Sequence, residues 1–225
     1  MKKIVSNLTF QVLVAISLGI LVGVIYPGFA PHAELISKSF INMISMLIAP
    51  IIFFTIVLGI AHMGDMKKVG IVGGKALLYF EIVTTIAIVI GLVVANVLKP
   101  GVGVEVPAGD VAKMDAYAKQ AGSINWLEFI AHIFPKNIFE AFSKGEILQI
   151  LVFAILFGYG LSKMGQTGQS LLITFDKIAK VLFNMMKVIM RLAPLGAFGG
   201  MAYSVGKFGL HTLLPMAKLM GAVYL

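Results

Sequence analysis

The sequence predicts an all-α membrane protein, a polytopic helical bundle that contains an inverted repeat. Of its 225 residues 59% are hydrophobic and only 12% are charged, whereas about 25% of residues are charged in soluble domains. Its apolar runs are about as long as the roughly 20 residues that cross a hydrocarbon core. Finally, the motif M-x-x-A-P occurs once in each half of the chain, ending at Pro50 and at Pro194.

Each copy of this motif places a proline inside an apolar segment. In water a mid-helix proline costs about 3 kcal/mol, because it removes a backbone hydrogen bond and clashes with the preceding turn. In a membrane, neighbouring helices can satisfy the freed carbonyl. Paired proline-interrupted segments at corresponding positions are typical of secondary transporters. We therefore expect the helices at Pro50 and Pro194 to bend or unwind there and to cross the membrane in opposite directions.

The charge pattern favours juxtamembrane lysines over a nucleic-acid surface. The net charge is +8, but the lysines stand singly between apolar runs, without a basic stripe or an aromatic stacking motif. The chain has no cysteine, and its four histidines fit no metal-ligand spacing. We therefore expect no nucleic-acid partner, no metal site and no cofactor.

The first two apolar segments set the predicted orientation. Leu8–Tyr26 is long enough to span the membrane, and Gly19 and Gly23 form a G-x-x-x-G pattern, which is either a close helix contact or apolar filler. The second helix is predicted from about Glu34 to Met63. Lysines before the first helix and after the second place the N-terminus and this loop in the cytoplasm.

The third predicted helix, Ile71–Leu98, carries an acid near mid-depth. Glu81 lies about ten positions into it, where a charge costs about 2.5–3.5 kcal/mol. Such a residue should face protein or water. Two interpretations stay open: a path for protons or cations, or a structural acid that hydrogen-bonds between helices.

The rest of the chain is predicted as follows. Residues 99–123 form an external loop, and an amphipathic stretch divided by Pro135 precedes a crossing at Ile147–Ser162. The fifth helix begins amphipathic, passes Pro194 and ends near Gly206. From Leu210 only 16 residues follow, so we expect the chain to be cut inside a sixth helix. The predicted parts are thus 1–70 (tail and helices 1–2), 71–98 (helix 3), 99–123 (external loop), 124–206 (helices 4–5) and 207–225 (start of helix 6).

Enzyme chemistry has no support in the sequence. There is no glycine loop of the Walker or dinucleotide type, and no G-x-S-x-G or H-E-x-x-H motif. An intramembrane enzyme would have to rely on Glu81 and scattered hydroxyls. We therefore predict no catalytic residues and no ATP-driven pump.

Several stretches together resemble the dicarboxylate/amino acid:cation symporter family, which includes glutamate transporters. They are Phe40–Pro50, Pro135–Phe142, Ile147–Gln149 and Met190–Pro194, and the segment Tyr79–Val83 is most similar to bacterial aerobic C4-dicarboxylate transporters. The similarity covers essentially the whole chain. Those transporters import succinate, fumarate and malate with cations across the bacterial inner membrane.

The resemblance implies an elevator-type secondary transporter that assembles as a homotrimer in the lipid bilayer. In that family helices 1, 2, 4 and 5 form the scaffold, and helices 3 and 6 belong to a moving transport domain. This chain would supply the scaffold half, helix 3 and the beginning of helix 6. The hairpins and last two helices, which bind the substrate in that family, have no counterpart here.

Departures from the family pattern concern the coupling ion. Sodium-coupled relatives offer a tyrosine and a Thr-Ser pair from helix 3, and the matching positions here are Phe80, Val83 and Thr84. Two of three oxygen donors are lost, and Na⁺ requires oxygen ligands. Glu81 and Thr84 are therefore the candidate ion-coupling residues, and H⁺ is favoured over Na⁺. The rival interpretations are a glutamate/aspartate:cation symporter and a membrane scaffold protein without transport activity.

Overall fold

A computed structural model describes residues 7–63, 66–99 and 126–224. Over these ranges every regular element is helical and no strand occurs, which confirms the predicted all-α class. The lysines at positions 2 and 3 and nearly all of the predicted external loop lie outside the described residues. The helices are α1 (Leu8–Ile25), α2 (Ala30–Met63), α3 (Met66–Leu98), α4 (Trp126–His132), α5 (Ile138–Lys144), α6 (Ile147–Lys163), α7 (Gln166–Met190), α8 (Ala193–Phe208) and α9 (Leu213–Tyr224).

Three helical segments of the described chain are long and apolar enough to cross a membrane: Leu8–Ile25, Pro27–Met63 and Gly70–Leu98. The pair α7 and α8 passes the same test as one span bent by 49°. α6 is apolar but has only 17 residues. These spans agree with a polytopic membrane protein.

By its internal contacts the chain divides into two compact units. Unit 1 comprises Met1–Met43, Gly74–Glu105 and Ile189–Leu225, and unit 2 comprises Ile44–Gly73 and Val106–Val188. Each unit therefore combines segments that are distant in sequence.

In unit 1, α1 packs closely against α8 through the predicted glycine pair. A methyl group built on Gly19 would lie 2.6 Å from the carbonyl oxygen of Phe198, and one on Gly23 would lie 2.9 Å from Cβ of Val205. Both glycines are buried. The close-contact interpretation of the G-x-x-x-G pattern is thus confirmed, and the ascending order of the contacts means that α1 and α8 run parallel.

The first part of α2 packs against α8 in the opposite direction. A methyl group on Gly199 would lie 2.7 Å from the carbonyl oxygen of Ala33, whereas Gly196 faces Phe40 and Gly206 faces Ala30. Residue numbers rise along one helix as they fall along the other, so these segments are antiparallel. An inverted repeat requires this order.

Unit 2 is built around phenylalanine rings. Phe53 of α2 contacts Phe142 of α5 and Phe153 and Phe157 of α6, with ring centroids 5.5–5.6 Å apart. Around them lies a buried apolar core: Ala49, Val57, Ala61, Ala141, Ile150, Ala154, Leu161 and Leu172. α6 approaches α2 closely at Gly158, where a methyl group would lie 3.0 Å from Cβ of Ile60.

The three prolines that the sequence marked as helix breaks, Pro50, Pro135 and Pro194, have different effects on the helices. Pro135 lies between α4 and α5, as predicted. Pro194 stands in the first turn of α8, after a two-residue turn that ends α7. Proline is well placed there, because the first helical turn leaves its N–H groups unpaired in any case.

At Pro50 the predicted unwinding is wrong, because α2 continues through it from Ala30 to Met63. The missing N–H deprives one carbonyl, that of Met46, of its helical partner. The hydrogen bonds of neighbouring residues are enough to continue the helix. A bend at Pro50 stays a prediction.

Candidate ion-coupling site

The two candidate coupling residues lie on one continuous helix, α3, in unit 1. Glu81 and Thr84 are three positions apart, so their side chains emerge about 60° apart around the helix. Both are exposed, as is every neighbouring side chain from Tyr79 to Val83. No hydrogen bond or ion pair joins Glu81 to any residue that the structure describes.

The exposure of α3 extends along its apolar span. Between Gly70 and Leu98 no residue of the most apolar stretch is buried. An acid on such a surface is costly in hydrocarbon unless it is protonated or covered by protein or water. Among the described residues no hydrogen bond or ion pair holds the Glu81 carboxyl, and the choice between an ion path and a structural acid stays a prediction.

A shallow groove of about 390 Å³ lies between α3 and α9, within unit 1. Its α3 side is formed by residues at helical spacing, including Ala87, Gly91 and Ala95. By the 100° rotation per residue, Thr84 lies within about 20° of Gly91 and Ala95 around α3, whereas Glu81 lies about 80° from Gly91 and about 40° from Ala95. This groove was not predicted from the sequence, although its small residues four positions apart are a pattern typical of close helix packing.

The two proline motifs and the candidate coupling residues are distributed over both units. Pro50 belongs to unit 2, and Pro194 belongs to unit 1 with Glu81 and Thr84. Among the described residues no group of three or more His, Asp or Glu side chains could hold a metal ion. The two candidate residues offer a carboxylate, which can take up a proton, and a hydroxyl oxygen, which is a hard ligand for a cation.

The polar motif after Pro135 supports the local fold of unit 2. The Asn137 side chain accepts a hydrogen bond from the N–H of Phe139 and caps α5. Gln149 Nε2 donates to the carbonyl of His132, 2.9 Å away, and so ties α6 to α4. Lys144 Nζ lies 2.6 Å from Glu140 Oε1 and holds the pKa of that carboxyl below its usual value. These contacts are structural.

These features define an α-helical membrane protein with an inverted arrangement of helices and one exposed, acid-bearing apolar helix. A model of the sodium:dicarboxylate symporter family matches residues 8–225. The chain belongs to that family. Neither the match nor the helical fold suggests an enzyme.

Several curated relatives are described as C4-dicarboxylate transport protein. The relative from Bacillus subtilis (strain 168) is 51% identical over 224 residues, which are 99% of this chain and 53% of the relative. The relative from Laribacter hongkongensis (strain HLHK9) is 49% identical over 226 residues, covering 100% of this chain and 51% of its own length. A third, from Citrifermentans bemidjiense, is 49% identical over 230 residues. The chain spans about half the length of these relatives.

Proposed function

We propose that this chain is part of a secondary active symporter that imports C4-dicarboxylates such as succinate, fumarate and malate. The observation that carries the proposal is the alignment of practically the whole chain with C4-dicarboxylate transport proteins at about 50% identity. The proposed location is the bacterial inner membrane, with the N-terminus in the cytoplasm and with a homotrimer as the assembly.

The packing supports the proposed division into a rigid scaffold and a moving transport domain. α1, α2 and α8 are joined by close backbone contacts at glycines, which suits a rigid scaffold. α3 has no buried residue in its apolar span, which suits an element whose packing surface belongs to a moving part. In this proposal the groups that bind the dicarboxylate lie outside these 225 residues.

A chimera tests this proposal directly. Residues 1–225 would be joined to the remaining half of the Bacillus subtilis relative, and the 225-residue chain alone would be reconstituted in parallel. We expect gradient-driven accumulation of radiolabelled succinate in vesicles containing the chimera and none in vesicles containing the chain alone. Accumulation by the chain alone would refute the proposed location of the binding site.

Competition in the same assay separates the rival functions. Excess fumarate or malate should suppress succinate uptake, whereas glutamate and aspartate should not. Strong competition by glutamate would favour the amino-acid symporter. An inactive chimera that still inserts and assembles would favour a scaffold protein.

We further propose that H⁺ is the coupling ion and that Glu81 relays it. Glu81→Gln in the chimera should reduce uptake driven by a pH gradient to near background, because glutamine cannot exchange a proton. Insertion and assembly should be unchanged. Uptake would be measured as a function of pH and of sodium concentration.

Two variants serve as controls for Glu81. Glu146→Gln removes an exposed acid that precedes α6 and should leave uptake intact. Thr84→Val removes the other oxygen ligand and should matter only if Na⁺ is coupled. An unchanged pH profile in Glu81→Gln would exclude the relay.

A further inference from the structure

The basic face of α7 has no role in the transport proposal. Its members are Lys177, Lys180, Asn184 and Lys187, which are spaced three or four residues apart and therefore lie along one side of the helix. All four are exposed and all belong to unit 2. Asp176 pairs with Lys180 at 2.7 Å, so three lysines and one aspartate leave this face clearly cationic.

The opposite side of α7 is fixed to the apolar core of unit 2. Leu172 and Ala179 are buried there, and the Phe175 ring packs against Phe157 and Phe54. The helix is therefore amphipathic and held in one orientation, with its lysines pointing away from the core.

Helix length places the basic part of α7 at a membrane boundary. α7 has 25 residues, which is about 37 Å and longer than a hydrocarbon core of about 30 Å. The apolar α8 follows it with 16 more. Together the two helices are longer than one membrane crossing requires. The lysine-bearing part of α7 is the part least suited to the hydrocarbon core, so we place it at the membrane boundary.

The neighbours of the lysines identify the surface they meet. Val181, Phe183 and Val188 are exposed beside them, with Val181 56% exposed and Val188 60% exposed. A helix that mixes lysines with exposed apolar side chains at the same level suits an interface, where acyl chains meet the apolar groups and headgroups meet the ammonium groups. A nucleic-acid surface would not need the valines.

We propose that the basic face of α7 binds the headgroups of anionic phospholipids. The stems of Lys177 and Lys187 would lie along the apolar boundary while their ammonium groups reach the phosphates. Each lysine near an anionic surface strengthens binding about five-fold. Removing two of them should weaken the preference for anionic lipid by roughly 25-fold.

Native mass spectrometry of the purified 225-residue chain in detergent tests the proposal. Phosphatidylglycerol and phosphatidylcholine with identical acyl chains would be titrated together. We expect the chain to retain phosphatidylglycerol preferentially and to lose most of this preference in Lys177→Gln/Lys187→Gln. Lys177→Arg/Lys187→Arg should keep it, because charge is preserved.

The charge-matched control is Lys99→Gln/Lys136→Gln, which removes two exposed lysines elsewhere and should keep the preference. If the glutamine variant does not fold, the unmodified chain can be titrated with salt instead. Its preference for phosphatidylglycerol must then fall as the salt concentration rises, because salt screens charge interactions. Equal retention of both lipids, a preference unaffected by the α7 substitutions, or displacement of the lipid by an RNA oligonucleotide would overturn the proposal.

Discussion

Replacing Gly19 with leucine is expected to separate α1 from α8 and to cause a large loss of stability. Even a methyl group at this position would come within 2.6 Å of the Phe198 carbonyl oxygen, and backbone cannot move aside as a flexible side chain can. Overpacking typically costs 1–3 kcal/mol, and a leucine against backbone should reach about 3 kcal/mol or more. For a chain of this size that corresponds to a melting temperature lower by about 6–12 °C.

The measurement is thermal unfolding in detergent, followed by the loss of the monodisperse species on size-exclusion chromatography. Gly59→Leu is the matched control, because a methyl group built there meets nothing within 4 Å. It should be neutral or slightly stabilising, since leucine favours helix more than glycine does. Equal melting temperatures for Gly19→Leu and Gly59→Leu would contradict the close α1–α8 contact.

Phe53→Ala is expected to give the other large effect, in unit 2. The Phe53 ring is 9% exposed and contacts the rings of Phe54, Phe142, Phe153 and Phe157. Its removal leaves a cavity that four rigid rings cannot fill. Such truncations cost 3–5 kcal/mol in soluble cores, and we expect about 3 kcal/mol here, because lipid replaces water as the competing environment.

Phe139→Ala provides the comparison, since Phe139 is 80% exposed and lies in the same unit. It removes the same atoms without creating a cavity, so its melting temperature should stay close to that of the unmodified chain. The same thermal assay applies. If both alanine variants melted alike, the phenylalanine core would not be the main source of stability in unit 2.

Residue patterns predicted those parts of the fold that depend on local chemistry. Apolar runs predicted the spans, the glycine pair predicted a possible helix contact, and Pro135 marked a division. Errors arose where a residue permits more than one structure. The second helix was predicted to begin at about Glu34, but proline is tolerated in the first turn of a helix, and α2 begins earlier, at Ala30. The third helix was predicted to begin at Ile71, after a lysine-bearing loop, but lysine favours helix, and α3 begins at Met66.

The candidate site was only partly predictable for a different reason. That Glu81 and Thr84 share a helix follows from their spacing. Whether protein, water or lipid covers them depends on residues far away in sequence, which no local pattern contains. The groove beside α9 is likewise a tertiary feature, because its two sides are more than a hundred residues apart.

The continuity of α2 has a consequence for how the chain loses its structure. Its first fourteen residues belong to unit 1 and the rest to unit 2, so the two units share one hydrogen-bonded rod. Unfolding of either unit would therefore disrupt part of α2, which the other unit also contains. A break within α2 would weaken the packing of both its halves. Proteins open in roughly contiguous cooperative segments, and α2 is one contiguous helix that contributes residues to both units. We therefore expect the two cores, which are formed from different residues, to unfold in one cooperative transition.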